Sequence, residues 1–217
     1  MKRELNKNFF IALCFIIAFV LWTMAVCFID VHPIGPQMSR VGFAELNGYF
    51  HRLTGVNISL YVITDWLSII PICFVVGFAL LGLIQLIKRR SLSRVDYSLF
   101  ALGEFYIVVM AVFVLFEVMV VNYRPILIEG VLEASYPSST TMLVMCIMPT
   151  SLMQLNDRIN NRILKNCILW SIIFFMVFMV LARLFSGVHW LTDIIGGALL
   201  SAGLVMAYCF IVNLRNK

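Results

Sequence analysis

The chain has 217 residues, of which 62% are apolar and only 12% charged, and its net charge is +5. Soluble domains usually carry about 25% charged residues, so this composition excludes most soluble folds, and the high apolar fraction also excludes a disordered chain. The six cysteines lie in apolar stretches without a C-x-x-C pair, which indicates neither a disulfide framework nor a zinc site.

Six stretches are long and apolar enough, or nearly so, to cross a bilayer as helices, which requires about 20 residues. In chain order they are residues 9–29, 60–87, 98–121, 138–155, 167–185 and 191–212. The first is not followed by a small-residue cleavage site and is longer than the apolar core of a signal peptide, so we interpret it as a retained helix. The sequence therefore predicts an all-α fold, in which residues 1–217 form one domain, a bundle of six transmembrane helices.

The loop between the first two spans, residues 30–58, has a pattern of its own. Phe43, Leu46, Phe50 and Leu53 recur at helical spacing among charged residues. This pattern predicts a short amphipathic helix that lies on the outer leaflet, and a plain connecting helix explains it equally well.

The basic residues indicate how the spans are oriented. If the spans alternate in direction, twelve of the sixteen Lys and Arg residues fall on one face, together with both termini. Because cytoplasmic loops are enriched in Lys and Arg, we expect that face to be cytoplasmic. The four exceptions are on the outer side, and two of them, Arg124 and Arg183, lie at the mouths of spans beside other polar residues. The small size and single domain favour a bacterial plasma membrane.

The outer loop after span three contains the first group of candidate site residues. Arg124 is followed by proline, and Pro137 suits the first turn of span four. Ser138 and Ser139 then offer hydroxyls and backbone N–H groups at a helix start, where an anion is favoured. Ordinary helix capping is the alternative explanation of the two serines.

The outer loop after span five contains the second group. His189 and Asp193 are four residues apart at the start of span six, a spacing that puts two side chains on one helix face with Cβ atoms about 5–6 Å apart. A carboxylate there can accept the proton of one ring nitrogen and leave the other nitrogen as a nucleophile. Gly187 permits the turn into the helix. An arginine at this depth, Arg183, is expected to have a partner or to bind an anion.

These motifs resemble those of the type 2 phosphatidic acid phosphatases, which belong to the superfamily that includes the vanadium haloperoxidases. The resemblance rests on Arg-x5-His-x3-Asp at 183–193, Arg-Pro at 124–125 and Pro-Ser at 137–138, and on their order and the six-span layout. It implies an enzyme that hydrolyses a lipid phosphate in the membrane at the outer face, without a metal or other cofactor and without a nucleic-acid partner. The resemblance leaves the oligomeric state and the lipid tail open.

By position, the resemblance also implies residue roles. His189 would be the nucleophile that forms a phosphohistidine, and Asp193 would orient it. The groups that would bind the phosphoryl oxygens are Arg124, Arg183, Ser138 and the backbone of Ser139.

The sequence departs from the family pattern at three positions, of which Ala182 in place of a serine is minor. Glu117 stands where the family has a lysine, and Thr140 stands where it has the histidine that protonates the leaving oxygen. A general acid contributes about 10²–10⁴-fold, and a threonine hydroxyl is too weak an acid to replace it. Glu117 and Glu133 are candidate replacement acids, although an ion pair with Arg124 is the simpler expectation for Glu117.

Two interpretations of these departures compete. In the first, the substrate supplies a good leaving group, as a polyprenyl diphosphate does when it releases a lipid monophosphate. In the second, the protein is catalytically silent and binds phospholipid headgroups. A small transporter is a third and weaker reading, since transport favours charged residues throughout the membrane depth. Asp65 and Glu104 lie within predicted spans and are expected to pair with polar neighbours.

Overall fold

The computed structural model describes the backbone of residues 2–215 and the side chains of residues 6–214. Four basic residues that were predicted to be cytoplasmic lie outside the described side chains: Lys2, Arg3, Arg215 and Lys217. The described chain forms eight α-helices and, apart from isolated bridges, no β-strand. The helices are α1 (Lys2–Phe28), α2 (Ala44–Thr54), α3 (Ile58–Leu67), α4 (Ile69–Arg89), α5 (Tyr97–Val118), α6 (Ser139–Asn156), α7 (Arg162–Phe185) and α8 (Leu191–Arg215).

Five stretches of helix are long and apolar enough to cross a membrane, and they coincide with five of the six predicted spans. They are Asn6–Phe28, Ile58–Arg89, Tyr97–Val118, Arg162–Phe185 and Leu191–Leu214. The prediction of an all-helical, multi-pass membrane protein is confirmed. The second stretch was predicted as one continuous helix, but it consists of two helices: α3 ends at Leu67 and α4 begins at Ile69, with Ser68 between them.

The remaining predicted span, residues 138–155, forms helix α6 but does not meet the same criterion of length and hydropathy. Helix α6 packs against α4, α5, α7 and α8, so its neighbours shield it from lipid and its sequence tolerates buried threonine, serine and glutamine. The six-span count therefore stays a prediction. At the end of α6 away from the site described below, Gln154 Nε2 donates to the Ser98 carbonyl at 3.1 Å and to the Tyr208 hydroxyl at 2.9 Å.

Helix α1 packs along α8, so the first long helix of the chain is held by the last. Gly203 allows the two helices to approach closely, since a Cβ atom there would lie 2.7 Å from Ile16 Cδ1. At the end of α1, Trp22 Nε1 donates to the Thr192 carbonyl at 3.1 Å. The main core fills the space between these two helices, α5 and α6, and it includes Tyr136 from the loop before α6. The start of α8 is therefore fixed against α1.

Helix α2 occupies the loop where the sequence predicts a short amphipathic helix. Its buried contact is polar, because Asn47 Nδ2 donates to the Gly42 carbonyl at 2.7 Å and to Thr192 Oγ1 at 2.9 Å. Leu46 and Leu53 of the predicted apolar stripe are exposed. The helix itself exists, it is tied to the start of α8, and its contact with a leaflet stays a prediction.

Candidate active site

Three segments that are distant in sequence meet at one end of the bundle: the loop 119–138, the C-terminal end of α7, and the turn 186–190 into α8. The first loop folds back on itself, since the Arg124 N–H donates to the Glu133 carbonyl at 3.0 Å. Its end is anchored to α8, since the Ser138 N–H donates to the Asp193 carbonyl at 3.0 Å. The two outer loops that were predicted to hold the site are therefore joined at this end of the bundle.

The turn between α7 and α8 holds His189 in a fixed position. Gly187 adopts a φ of +69°, which L side chains rarely adopt, and a Cβ atom there would lie 2.0 Å from the Gly55 carbonyl oxygen. The turn therefore requires glycine, as predicted. His189 lies two residues before Leu191, the first residue of α8, and it is only 4% exposed.

His189 and Arg124 are brought together as predicted. Arg124 Nη1 lies 3.4 Å from His189 Nε2, although 65 residues separate them in sequence. A guanidinium carries only donors, so Nε2 is the acceptor in this contact and the ring proton is assigned to Nδ1. On the other side of the ring, Nδ1 lies 3.1 Å from the Ser135 carbonyl oxygen, which accepts that proton. Both contacts favour the tautomer that is protonated at Nδ1 and has its lone pair at Nε2.

The predicted contact between His189 and Asp193 is indirect. Since α8 begins only at Leu191, the two residues do not share a helical turn, and Nδ1 lies 3.8 Å from Asp193 Oδ2. The Ser135 hydroxyl lies between them: it donates to Asp193 Oδ2, and its oxygen is 3.1 Å from His189 Nδ1. This corrects the expectation of a direct carboxylate–imidazole hydrogen bond.

Asp193 is completely buried and held by further donors. Its Oδ2 also accepts the Trp190 N–H at 2.9 Å, and its Oδ1 accepts Asn122 Nδ2 at 3.2 Å. A buried carboxylate with this many donors has little freedom to rotate. It is thus a fixed negative charge behind the imidazole.

The environment of His189 favours the neutral imidazole. Burial is the main cause that lowers the pKa of His189 from 6.5 to about 4. The positive charges of Arg124 and Arg183 lower this pKa further, whereas Asp193 opposes them. Near neutral pH the ring is therefore unprotonated at Nε2, as a nucleophile must be.

Arg183 is 2% exposed, and it is held by helix α3. Its Nη1 donates to Thr64 Oγ1 at 2.9 Å, its guanidinium lies 4.6 Å above the ring of Tyr61, and its Nη2 lies 3.7 Å from Asp65 Oδ1. Asp65 thus pairs with a polar neighbour, as expected. Arg183 Nε is buried and makes no hydrogen bond within the part of the chain that the structure describes, so it has a donor to spare.

The two guanidiniums face one cavity of about 270 Å³ between α3, α5 and α6. Ser139 and Thr140, in the first turn of α6, line the same cavity, and that turn supplies N–H groups without partners inside the helix. The apolar part of the lining consists of Val109, Met110, Phe113, Met142 and Leu143. A cavity with a cationic end and an apolar wall suits a lipid with an anionic headgroup.

Ser138 does not line this cavity. It is completely buried, its N–H is bonded to Asp193, and its Oγ accepts a hydrogen bond from Thr141 Oγ1 at 3.1 Å. Ser139 is therefore the serine that faces the cavity, and the contact of Ser138 with the phosphate stays a prediction.

Comparison with known proteins identifies the family. Residues 72–217 match the model of the PAP2 superfamily, which is more than half of the chain. The chain belongs to the PAP2 superfamily. No curated protein matches the sequence.

The PAP2 fold is also found among solved structures. The crystal structure of the first transmembrane PAP2 type phosphatidylglycerolphosphate phosphatase from Bacillus subtilis is similar, with a TM-score of 0.63 over 95% of this chain and 98% of that one. The two sequences are 14% identical, so this likeness shows the shared fold alone. The predicted resemblance is confirmed at the level of the family and of a PAP2-type membrane phosphatase fold.

The three residues considered as proton donors in this PAP2 protein have different neighbours. Glu133 Oε2 lies 3.0 Å from Arg124 Nε, so the ion pair that the sequence suggested for Glu117 is made by Glu133 instead. Glu117 lines a small cavity together with His189 and Ser139. Thr140 is buried in the wall of the cavity that the two guanidiniums face.

Sequence reasoning missed two polar residues of the site, Ser135 and Asn122. Ser135 lies two residues before the Pro-Ser motif, and Asn122 lies two residues before the Arg-Pro motif. This proximity was the one available indication. Glu104, which was expected to pair with a polar neighbour, lines an apolar groove between α4 and α5 and has no ion pair among the described residues.

Proposed function

We propose that this protein is a phosphatase that hydrolyses a lipid phosphate or diphosphate in the membrane through a phosphohistidine intermediate. The observation that carries the proposal is the 3.4 Å contact between Arg124 Nη1 and His189 Nε2. Arg124 also lines the cavity that Arg183 and Ser139 line. The contact therefore supports a site in which His189 and Arg124 act on the same phosphoryl group.

In the first step, the Nε2 lone pair of His189 attacks phosphorus, and the bond from phosphorus to the leaving oxygen breaks. The leaving oxygen keeps the bonding electron pair. Arg124 and Arg183 stabilise the negative charge on the non-bridging oxygens. The imidazole ring becomes positively charged when Nε2 is phosphorylated, and the buried carboxylate of Asp193 stabilises that charge.

In the second step, water attacks the phosphorus of the phosphohistidine. The phosphorus–nitrogen bond breaks, its electron pair returns to Nε2, and the attacking water loses one proton to the solvent as inorganic phosphate leaves. His189 is then neutral again. The two guanidiniums serve both steps, because the same phosphoryl oxygens carry the developing charge in each.

The absence of a histidine at position 140 bears on the substrate. A monoester must release an alkoxide, which needs a proton from a general acid, whereas a diphosphate releases a phosphate anion that needs far less protonation. We therefore favour a polyprenyl diphosphate. Glu117 is the better candidate for assisting a leaving group, because it lines a cavity beside His189 while Glu133 is the counterion of Arg124.

A second candidate function is phospholipid headgroup binding without hydrolysis. It is supported by Thr140 in place of the family's acid and by the two carboxylates, Glu133 and Asp65, that already accompany the two guanidiniums. In either case we propose that the site faces outward from a bacterial plasma membrane and that both termini are cytoplasmic. The positions of the basic residues carry that orientation.

Phosphate release by the purified protein in detergent tests the proposal. Phosphatidic acid, phosphatidylglycerol phosphate and a short polyprenyl diphosphate would be compared. We expect the diphosphate to be hydrolysed fastest and His189→Ala to abolish the activity. His32→Ala is the matched control, because His32 is an exposed histidine whose ion pair is with Asp30, outside the site. Lipid binding without turnover on all three substrates would support the headgroup-binding candidate instead.

A further inference from the structure

One residue that contacts both His189 and Asp193, Ser135, lies outside the PAP2 motifs. Ser135 is 3% exposed, and it contacts His189 with two different atoms. Its carbonyl oxygen and its Oγ both lie 3.1 Å from His189 Nδ1. Its hydroxyl proton is given to Asp193 Oδ2. The contact of the carboxylate with the imidazole is therefore made through this hydroxyl.

We propose that Ser135 is a positioning residue, which holds the His189 ring in the tautomer and orientation required for attack and couples it to Asp193. This inference rests on the proposed function. A hydroxyl can accept one hydrogen bond while it donates another, so Ser135 Oγ can share the Nδ1–H proton with the Ser135 carbonyl oxygen and donate to the carboxylate at once. Neither Ser135 nor its hydroxyl is consumed in the reaction.

The geometry explains why a bridge is needed. Asp193 Oδ2 is 3.8 Å from Nδ1, beyond hydrogen-bond distance. Asp193 cannot move closer freely, because the Trp190 N–H and Asn122 Nδ2 hold its two oxygens. When phosphorylation makes the ring positive, the carboxylate acts on it through the polarised hydroxyl of Ser135.

The Ser135→Ala variant removes the bridge but keeps the carbonyl contact to Nδ1. We expect kcat, and the rate at which phosphohistidine is trapped in single turnover, to fall about 10- to 100-fold, as for a hydrogen bond to a charged group. KM should change less than about 3-fold, because Ser135 does not line the cavity of the two guanidiniums. The midpoint of thermal unfolding should stay within a few degrees of the wild type.

The matched control is Ser201→Ala. Ser201 is completely buried like Ser135, but its hydroxyl donates to the Gly197 carbonyl at 2.7 Å within α8. We expect this variant to keep the wild-type kcat. If Ser135→Ala does not fold, Ser135→Cys replaces it, because a thiol has a similar shape and hydrogen-bonds weakly.

Each outcome has one meaning. An unchanged kcat in a folded Ser135 variant, or a higher KM with an unchanged kcat, would overturn the positioning role while leaving the proposed function intact. No trapped phosphohistidine in the wild-type protein would instead refute the proposed function itself. A selective loss of kcat, with Ser201→Ala unaffected, supports the inference.

Discussion

Asp193→Asn is the substitution whose effect can be worked out most fully. The carboxylate is completely buried and lies 3.8 Å from His189 Nδ1. For unit charges at that distance, Coulomb's law with an effective dielectric constant of about 20 gives about 4 kcal/mol. This energy acts only when the ring is positively charged, that is, during phosphorylation of Nε2. We therefore expect kcat to fall about 10³-fold, with little change in KM.

The asparagine also disturbs the hydrogen bonds around it. Both carboxylate oxygens of Asp193 now accept from donors, whereas an amide has one oxygen and one NH₂ group, so one donor would face another. This costs about 1–3 kcal/mol of folding stability. Steady-state kinetics in detergent and thermal unfolding measure the two effects separately. The exposed carboxylate of Asp157, at the far end of α6, provides the control Asp157→Asn. A variant with normal kcat and raised KM would refute the reasoning, because it would mean that Asp193 serves substrate binding.

Three further predictions concern the leaving group, the nucleophile and the turn. Thr140→His restores an acid in the cavity wall, so turnover of phosphatidic acid should rise by more than that of a polyprenyl diphosphate; equal gains would count against the leaving-group argument. Because burial lowers the pKa of His189 to about 4, the nucleophile stays neutral as the pH falls past 6.5. After correction for titration of the substrate, kcat/KM should therefore fall only near pH 4. A fall of kcat/KM near pH 6.5 would contradict this. Gly187→Ala introduces both a strained φ and a clash with Gly55, so it should lower stability by about 1–3 kcal/mol and displace His189; Gly77→Ala, where a Cβ atom meets nothing within 4 Å, is its control in thermal unfolding and activity assays.

Most of the helices could be predicted from the sequence because lipid imposes a simple requirement. A spanning helix must be apolar over about 20 residues, and five of the six predicted stretches meet that requirement in the structure. Helix α6 shows the limit of this reasoning. Since other helices surround α6, its residues contact protein rather than lipid. Hydropathy alone therefore does not show whether α6 crosses the membrane. The break at Ser68 was also missed, because two apolar helices in series look like one in sequence.

The site could be predicted in outline and not in its contacts. The spacing of Arg124, Arg183 and His189 along the spans indicated that they share one end of the bundle, and the contact of Arg124 with His189 agrees. The bridging Ser135 could not be predicted, because its role depends on where a loop crosses the imidazole ring. For the same reason the sequence assigned Arg124 the wrong acidic partner. Glu117 is seven residues away on α5, whereas Glu133 is brought alongside by the folding of the loop.

The pairing of α1 with α8 has a consequence for biogenesis. The hydrogen bond from Trp22 to Thr192 joins residues 170 positions apart, so α1 leaves the ribosome long before the surface that will hold it has been translated. Until α8 is made, α1 can pack only against earlier parts of the chain, such as Phe116 of α5, which its Phe19 contacts. The turn that carries His189 is translated just before α8 docks. The end of the bundle that holds the candidate site is therefore completed by the same late event that pairs α1 with α8.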